Sequence, residues 1–262
     1  GKASWLAAYK VKEAYPEDLI QLVFTDTKTE DEDLYRFLEE GAEALELPLV
    51  WLADGRDIWG VFKDNRFLGN NRVPVCSRVL KQEASDSWVR ENCDPDSTTL
   101  YFGIDWTESH RAERIPERWQ PYAVEFPLLW EPVTEKEEAD VLLARYGIKQ
   151  PRLYDLGAPH NNCGGLCVRA GHGHFKWALG ALPNRFAQWE KKEEEMRQFL
   201  DADVAILRDR RGGESKPLTL KDFRERIESK QTAQLDVQLQ CVDCGSYCRE
   251  RTKSNEVTPK VV

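Results

Sequence analysis

The chain opens on Gly1-Lys2-Ala3-Ser4, and a helical run follows at once through Trp5, Leu6, Ala7, Ala8, Tyr9 and Val11. A Gly-Lys-x-Ser turn feeding a helix offers backbone N–H groups, a hydroxyl and an ammonium at a helix N-terminus, a setting that stabilises an anion. Residues 19–24 read as an apolar strand that ends in Thr25-Asp26-Thr27. Such an end puts polar groups at the sheet edge where open α/β sheets bind ligands. We read the two together as a site for the phosphates of a nucleotide. Gly1, Lys2 and Ser4 then hold phosphate, and Lys2 adds positive charge against it. Thr25, Asp26 and Thr27 hold the nucleotide or a Mg²⁺ ion, which needs only one or two carboxylates beside the substrate's own phosphates. The plainer alternatives are an exposed helix start and a turn aspartate.

A second cluster is rich in soft ligands. Cys163-Gly164-Gly165-Leu166-Cys167 follows His160-Asn161-Asn162 and precedes His172-Gly173-His174. Cys76 sits in the first turn of a helix opened by Pro74, a position that lowers a thiol pKa. Three readings stand side by side: Cys76, Cys163 and Cys167 hold a [4Fe-4S] cluster with one iron open to a sulfur donor; the turn binds Zn²⁺; or the thiols are free. Cys241, Cys244 and Cys248 read as three zinc ligands whose fourth is Cys93 or a histidine, or as free thiols in a polar tail. Arg208-Asp209-Arg210-Arg211 and the trio Arg111, Arg114 and Arg118 are solvated surface, or contacts to a tRNA or DNA backbone. Glu193-Glu194-Glu195 reads as a helix face.

The elements that must carry these residues alternate. A helix over 5–15 precedes the strand over 19–25. Thr29 is placed to cap a helix whose apolar face is Leu34, Phe37, Leu38, Ala42 and Leu45, and a strand over 47–52 follows. Strand, helix and strand at this spacing imply a right-handed βαβ unit. Further on come a helix from Pro74 to about Asn92, short strands over 98–103 and 122–128, and a helix capped by Thr134. The second part brings helices over 175–182 and 184–200, a strand over 203–207 and a helix over 219–228. The expected fold is α/β: a doubly wound, mostly parallel, five-stranded sheet with a helical, Cys-rich C-terminal region. Its parts are a nucleotide-binding domain over 1–150, a Gly/His/Cys loop and helical region over 151–230, and a Cys-containing, partly disordered tail over 231–262.

Composition limits the partners. The net charge of −9 argues against a protein that coats nucleic acid by bulk charge. No run of 18 apolar residues is present, so no membrane span is expected. Seven unevenly spaced Cys in a long chain fit reduced thiols or metal ligands in a cytoplasm better than a secreted disulfide framework.

Four of these segments resemble one family in its own order. Gly1-Lys2-Ala3-Ser4 looks like the second half of the S-G-G-K-x-S loop of the PP-loop ATP pyrophosphatases, which have the adenine nucleotide alpha-hydrolase fold. Val23-Phe24-Thr25-Asp26-Thr27 resembles the V-F-x-D-T strand end of the sulfonucleotide reductase branch. Cys76-Ser77-Arg78-Val79-Leu80-Lys81 is similar to its C-x-x-x-L-K segment, and the turn from Gly103 and Ile104 to Arg111 to its G-I-R-x-x-E-S-x-x-R. The stretch Tyr154 to Cys167 is similar to a Y-D-L-G-x-P-H-N-N-C-G-G-x-C run in phage and prophage proteins described as phosphoadenosine phosphosulfate (PAPS) reductase-like. The strand and the Ser-Gly-Gly that the family places before Lys2 are mostly absent here.

The resemblance implies an enzyme: ATP-dependent adenylation of a substrate, with pyrophosphate leaving, followed by sulfur transfer that displaces AMP. A sulfurtransferase of this kind takes a tRNA, DNA or small-molecule substrate, and a sulfur donor protein as partner. Gly103 and Ile104 are implied to let the backbone approach adenine and ribose, and Arg111 to lie near the phosphates. Cys76 would be a catalytic thiolate beside Lys2 and Asp26. Asp105-Trp106 replaces the family's Arg, which disfavours an anionic sulfate or phosphate at that point. Reduction of a sulfonucleotide is the alternative, with only Asp243-Cys244-Gly245-Ser246-Tyr247 as an echo of the reductases' E-C-G-x-H. A nucleotide- or metal-binding subunit without catalysis of its own is a third reading.

Overall fold

The computed structural model describes residues 1–132 and 136–229. Two βα-type units come first. Helix α1 (Lys2–Ala14) precedes strand β1 (Leu22–Asp26), α2 (Glu32–Ala44) and strand β2 (Leu49–Ala53). β1 and β2 pair in parallel, from Leu22 opposite Leu49 to Asp26 opposite Ala53, as a βαβ crossover requires. The apolar residues of α2 at three- and four-residue spacing do face inward: Leu34, Phe37, Ala42 and Leu45 are buried. Leu34, Phe37 and Leu45 form one core with Trp5, Leu6 and Ala7 of α1 and with Ala139, Leu142 and Leu143 of α7 (Lys136–Arg145). Gly41 lets α1 and α2 approach closely. A Cβ there would lie 2.7 Å from Cδ1 of Trp5, whose indole N–H donates to the Gly41 carbonyl at 3.0 Å.

From Val75 to Asn92 the chain is helical without a break. α4 (Val75–Ser77) passes into a π-helical stretch (Arg78–Glu83) and then α5 (Ala84–Asn92). β3 (Thr99–Tyr101) pairs in parallel with β4 (Ala123–Glu125), with α6 (Ile115–Trp119) between them. After α8 (Arg152–Asp155) and the loop to residue 171 come α9 (His172–Ala181) and α10 (Pro183–Leu200). The antiparallel pair β5 (Leu207–Asp209) and β6 (Lys216–Leu218) leads to α11 (Leu220–Glu228). The largest core crosses the boundary expected near Gln150. Ile58, Val61 and Phe62 of α3 (Ile58–Asp64), with Cys76 and Leu80, pack with Leu166, Phe175, Phe186 and Phe223.

The chain is therefore mixed α/β, and two of its three strand pairs are parallel, but the expected five-stranded doubly wound sheet is not formed. The described strands make three separate two-stranded sheets. The first turn of α1 lies where the chain leaves β3: a Cβ on Gly103 would meet Cα of Ser4 at 2.9 Å and the Ala3 carbonyl at 3.1 Å. A helix start fills this place, and no described strand bridges the first two pairs. The α2 cap is also corrected. Asp31, not Thr29, accepts the Asp33 N–H, while the Thr29 hydroxyl donates to the Thr27 carbonyl. The expected cap Thr134 lies outside the described residues. The strand expected over 203–207 is instead Leu207–Asp209.

Candidate functional site

The end of β1, the π-helical stretch and the Cys163 loop meet at one carboxylate, that of Glu30. Its Oε1 accepts from the Thr27 hydroxyl at 3.1 Å and from the Lys81 ammonium at 3.2 Å. Its Oε2 accepts the backbone N–H of Cys163 at 2.8 Å. The Glu30 side chain is 2% exposed, and that of Lys81 is 35% exposed. The wide turn of a π-helix is a recurrent feature of functional sites, and here it carries Lys81.

Beside this group lie three thiols. Cys163 and Cys167 are free thiols that face each other, and their mutual interaction dominates the titration of both. Cys163 holds the proton, while Cys167 is drawn down to about 6, first by Cys163, then by the Arg169 backbone N–H, His160 and Lys81, against the opposing effect of burial. Cys76 lies near enough to Cys167 for the two to repel as anions. Burial and that repulsion push the Cys76 thiol up to about 11. The low pKa expected for Cys76 is thus corrected: burial of the side chain outweighs its place in the first turn of the helix. The acidic thiol is Cys167. Burial alone would lower the Lys81 ammonium, but Glu30 and the two thiols outweigh it and hold it above the usual lysine range.

The Cys163 turn is built from three successive left-handed residues: Cys163 at φ 48°, Gly164 at 59° and Gly165 at 88°. The conformation is costly for Cys163. Gly164 is also required sterically, since a Cβ would lie 1.8 Å from Nη1 of Arg185 and 2.8 Å from the Thr29 carbonyl. Arg185 donates to the Gly164 carbonyl and faces Asp31 at 3.5 Å. Asp31 also accepts a two-pronged bond from Arg152, at 2.7 and 2.9 Å. Neighbouring acids on one short segment thus hold the loop: Glu30 takes its backbone, and Asp31 takes the arginines that flank it.

The nucleotide candidates fall into two groups. Gly1, Lys2, Ser4, Gly103 and Ile104 cluster at the first turn of α1, where the Tyr154 hydroxyl faces the backbone N–H groups of Lys2 and Asn161. The Lys2 ammonium, however, is held by Asp140 at 2.7 Å and Gln150 at 2.9 Å, over the Tyr154 ring. Asp26 is buried and bonded to the Tyr35 hydroxyl at 2.9 Å, the Lys28 N–H at 2.8 Å and the Lys28 ammonium at 3.1 Å. Lys2 and Asp26 share no bonding partner. Thr25 precedes Asp26 in β1, and Arg111 pairs with Glu108 at 3.0 Å.

Among the described residues, no three His, Cys, Asp or Glu side chains form a metal-holding group. Cys241, Cys244 and Cys248 lie outside the described residues, and Cys93 packs apart, against the β3–β4 core. No described helix is long and apolar enough to cross a membrane. Sequence reasoning missed Glu30 and saw Lys81 only as part of a motif. No protein-family model and no curated protein matches the chain.

Proposed function

We propose that the chain is a PP-loop-type enzyme that binds ATP at the first turn of α1 and couples adenylation of a substrate to sulfur transfer at Cys163 and Cys167. A substrate oxygen attacks the α-phosphate and pyrophosphate leaves. A sulfur nucleophile then attacks the activated carbon, and AMP leaves with the oxygen. The helix N-terminus and Lys81 supply positive potential for the phosphates. Lys81 also favours the thiolate of Cys167. The substrate is a nucleic acid or a smaller heterocycle, and the sulfur comes from a donor protein.

The observation that carries this reading is the Glu30 junction, which ties Lys81 to the Cys163 backbone. The test is exchange of labelled pyrophosphate into ATP with total cellular RNA or DNA as substrate, followed by mass spectrometry for replacement of oxygen by sulfur. Exchange that vanishes in Cys163→Ser with Cys167→Ser argues for a structural role of the thiols. Exchange retained with sulfur transfer lost supports the proposal, and no exchange with any substrate refutes it. One observation favours a binding subunit without catalysis: the Lys2 ammonium is already engaged by Asp140 and Gln150. ATP binding without exchange would establish that reading.

A further inference from the structure

Next to Cys163 the chain buries polar atoms that nothing in the protein satisfies. Asn161 is 5% exposed, and neither its side-chain Nδ2 nor its Oδ1 has a hydrogen-bond partner. Its neighbour His160 has a buried, unpartnered Nε2. The His160 ring stacks on His174, with centroids 4.5 Å apart, and its Nδ1 accepts the Asn162 N–H at 3.4 Å. In the neutral ring that bond leaves the proton on Nε2, so Nε2 is a donor.

A buried amide with neither end satisfied costs about 1–3 kcal/mol for each orphaned group. Natural chains keep such groups where a ligand meets them. The position is specific. The backbone N–H of Asn161 faces the Tyr154 hydroxyl, which also faces the Lys2 N–H at the start of α1. His160 lies within electrostatic reach of Cys167. The unsatisfied donors and acceptor therefore lie between the anion-binding end of a 13-residue helix and the acidic thiol.

We infer that Asn161 and His160 form a binding site for the edge of a nitrogen heterocycle that presents a hydrogen-bond donor beside an acceptor. The Asn161 amide pairs with such an edge through Nδ2–H and Oδ1 together, and His160 Nε2–H donates to a further acceptor. Two sources offer this chemistry: the amidine edge of adenine in ATP, and the lactam edge of a base such as uracil or hypoxanthine. This deepens the proposed function, on which it rests, by stating what the site recognises.

The experiment measures binding of ATP, uridine, inosine, 3-methyluridine and 1-methylinosine to the full chain by calorimetry. The proteins are the parent, Asn161→Leu and Asn161→Asp. If the lactam is the ligand, N-methylation weakens binding to the parent by roughly tenfold or more, the usual discrimination of a site built to pair an N–H. Asn161→Leu then loses a similar factor and no longer distinguishes the methylated nucleosides. If adenine is the ligand, ATP affinity falls instead and the nucleosides are unaffected.

Thermal unfolding supplies a readout that a structural role would move the other way. Removing two orphaned polar atoms leaves Asn161→Leu as stable as the parent or more so. Binding of every probe within twofold of the parent in both variants overturns the inference, and so does a large loss of stability in both. Pyrophosphate exchange separates the two proposals. Exchange without any Asn161 dependence of binding sinks this inference alone, and Asn161-dependent binding without exchange sinks the enzymatic reading alone.

Discussion

Replacing Glu30 tests the junction directly, because Gln and Ala remove different parts of it. Glu30→Gln keeps the shape. Its carbonyl oxygen still accepts the Cys163 N–H, and the Thr27 hydroxyl can rotate to accept from the new amide. What is lost is the charge opposite Lys81. That ammonium is about a third exposed, so water screens the pair, and the expected loss is about 1 kcal/mol. Glu30→Ala removes the acceptor as well. The Cys163 N–H is then buried without a partner, adding about 1–3 kcal/mol, and the total is about 3 kcal/mol. Urea unfolding at pH 7, followed by tryptophan fluorescence, measures both. The strained Cys163 turn loses its anchor only in Glu30→Ala, so iodoacetamide alkylation of Cys163 and Cys167 in the folded protein accelerates in that variant and much less in Glu30→Gln. Equal stability of the two variants, or an Ala variant within 0.5 kcal/mol of the parent (about the size of an ordinary surface change), would refute the argument that Glu30 holds the loop by its backbone.

Other parts of the molecule give further predictions. Lys81→Met raises the pKa of the Cys167 thiol from about 6 toward the ordinary thiol range, because a nearby cation favours the thiolate; an unmoved pH profile of alkylation would count against it. Gly103→Ala drives a methyl to within 2.9 Å of the Ser4 backbone, costing about 1–3 kcal/mol of stability and weakening ATP binding; unchanged melting and binding would show that β3 does not abut α1. Glu193 is 1% exposed and accepts the N–H groups of Ile206 and Leu220, while burial raises its pKa from 4.5 to about 7. Between those values the folded chain keeps a proton that the unfolded chain has released, so its stability declines with rising pH by about 3 kcal/mol in total; Glu193→Gln flattens that part of the curve, and an unchanged slope would place the titration elsewhere.

Periodicity made the helices legible. The helix from Pro74 to Asn92 is present from Val75 to Asn92, and Thr219 caps α11, because both are fixed by local chemistry: a proline start and a hydroxyl cap. The βαβ unit was legible for the same reason. The π-helical stretch was not, and its Lys81 bonds to Glu30, 51 residues earlier in the chain. Glu193 was misread as surface within an acidic run, although a signal existed. Phe186, Trp189, Glu193 and Met196 follow at spacings of three, four and three, and all four are buried. The apolar stripe therefore ran through the glutamate, which marks a buried acid that must find donors.

The wider sheet failed for a different reason. Alternation of strands and helices states how many strands a chain can form, but not which strands become neighbours. Here the decisive contacts are polar and long-range. Glu30 and Asp31 are adjacent, yet one binds Lys81 and Cys163 while the other binds Arg152 and Arg185. Four partners from both sides of residue 150 converge on two neighbouring acids, so the site forms only when those segments are already docked. The cost of the left-handed Cys163 turn is met in the same place by the same acids. Loss of either acid should therefore disturb the thiols before it disturbs the β1–β2 pair, whose Leu22 to Asp26 register depends on neither.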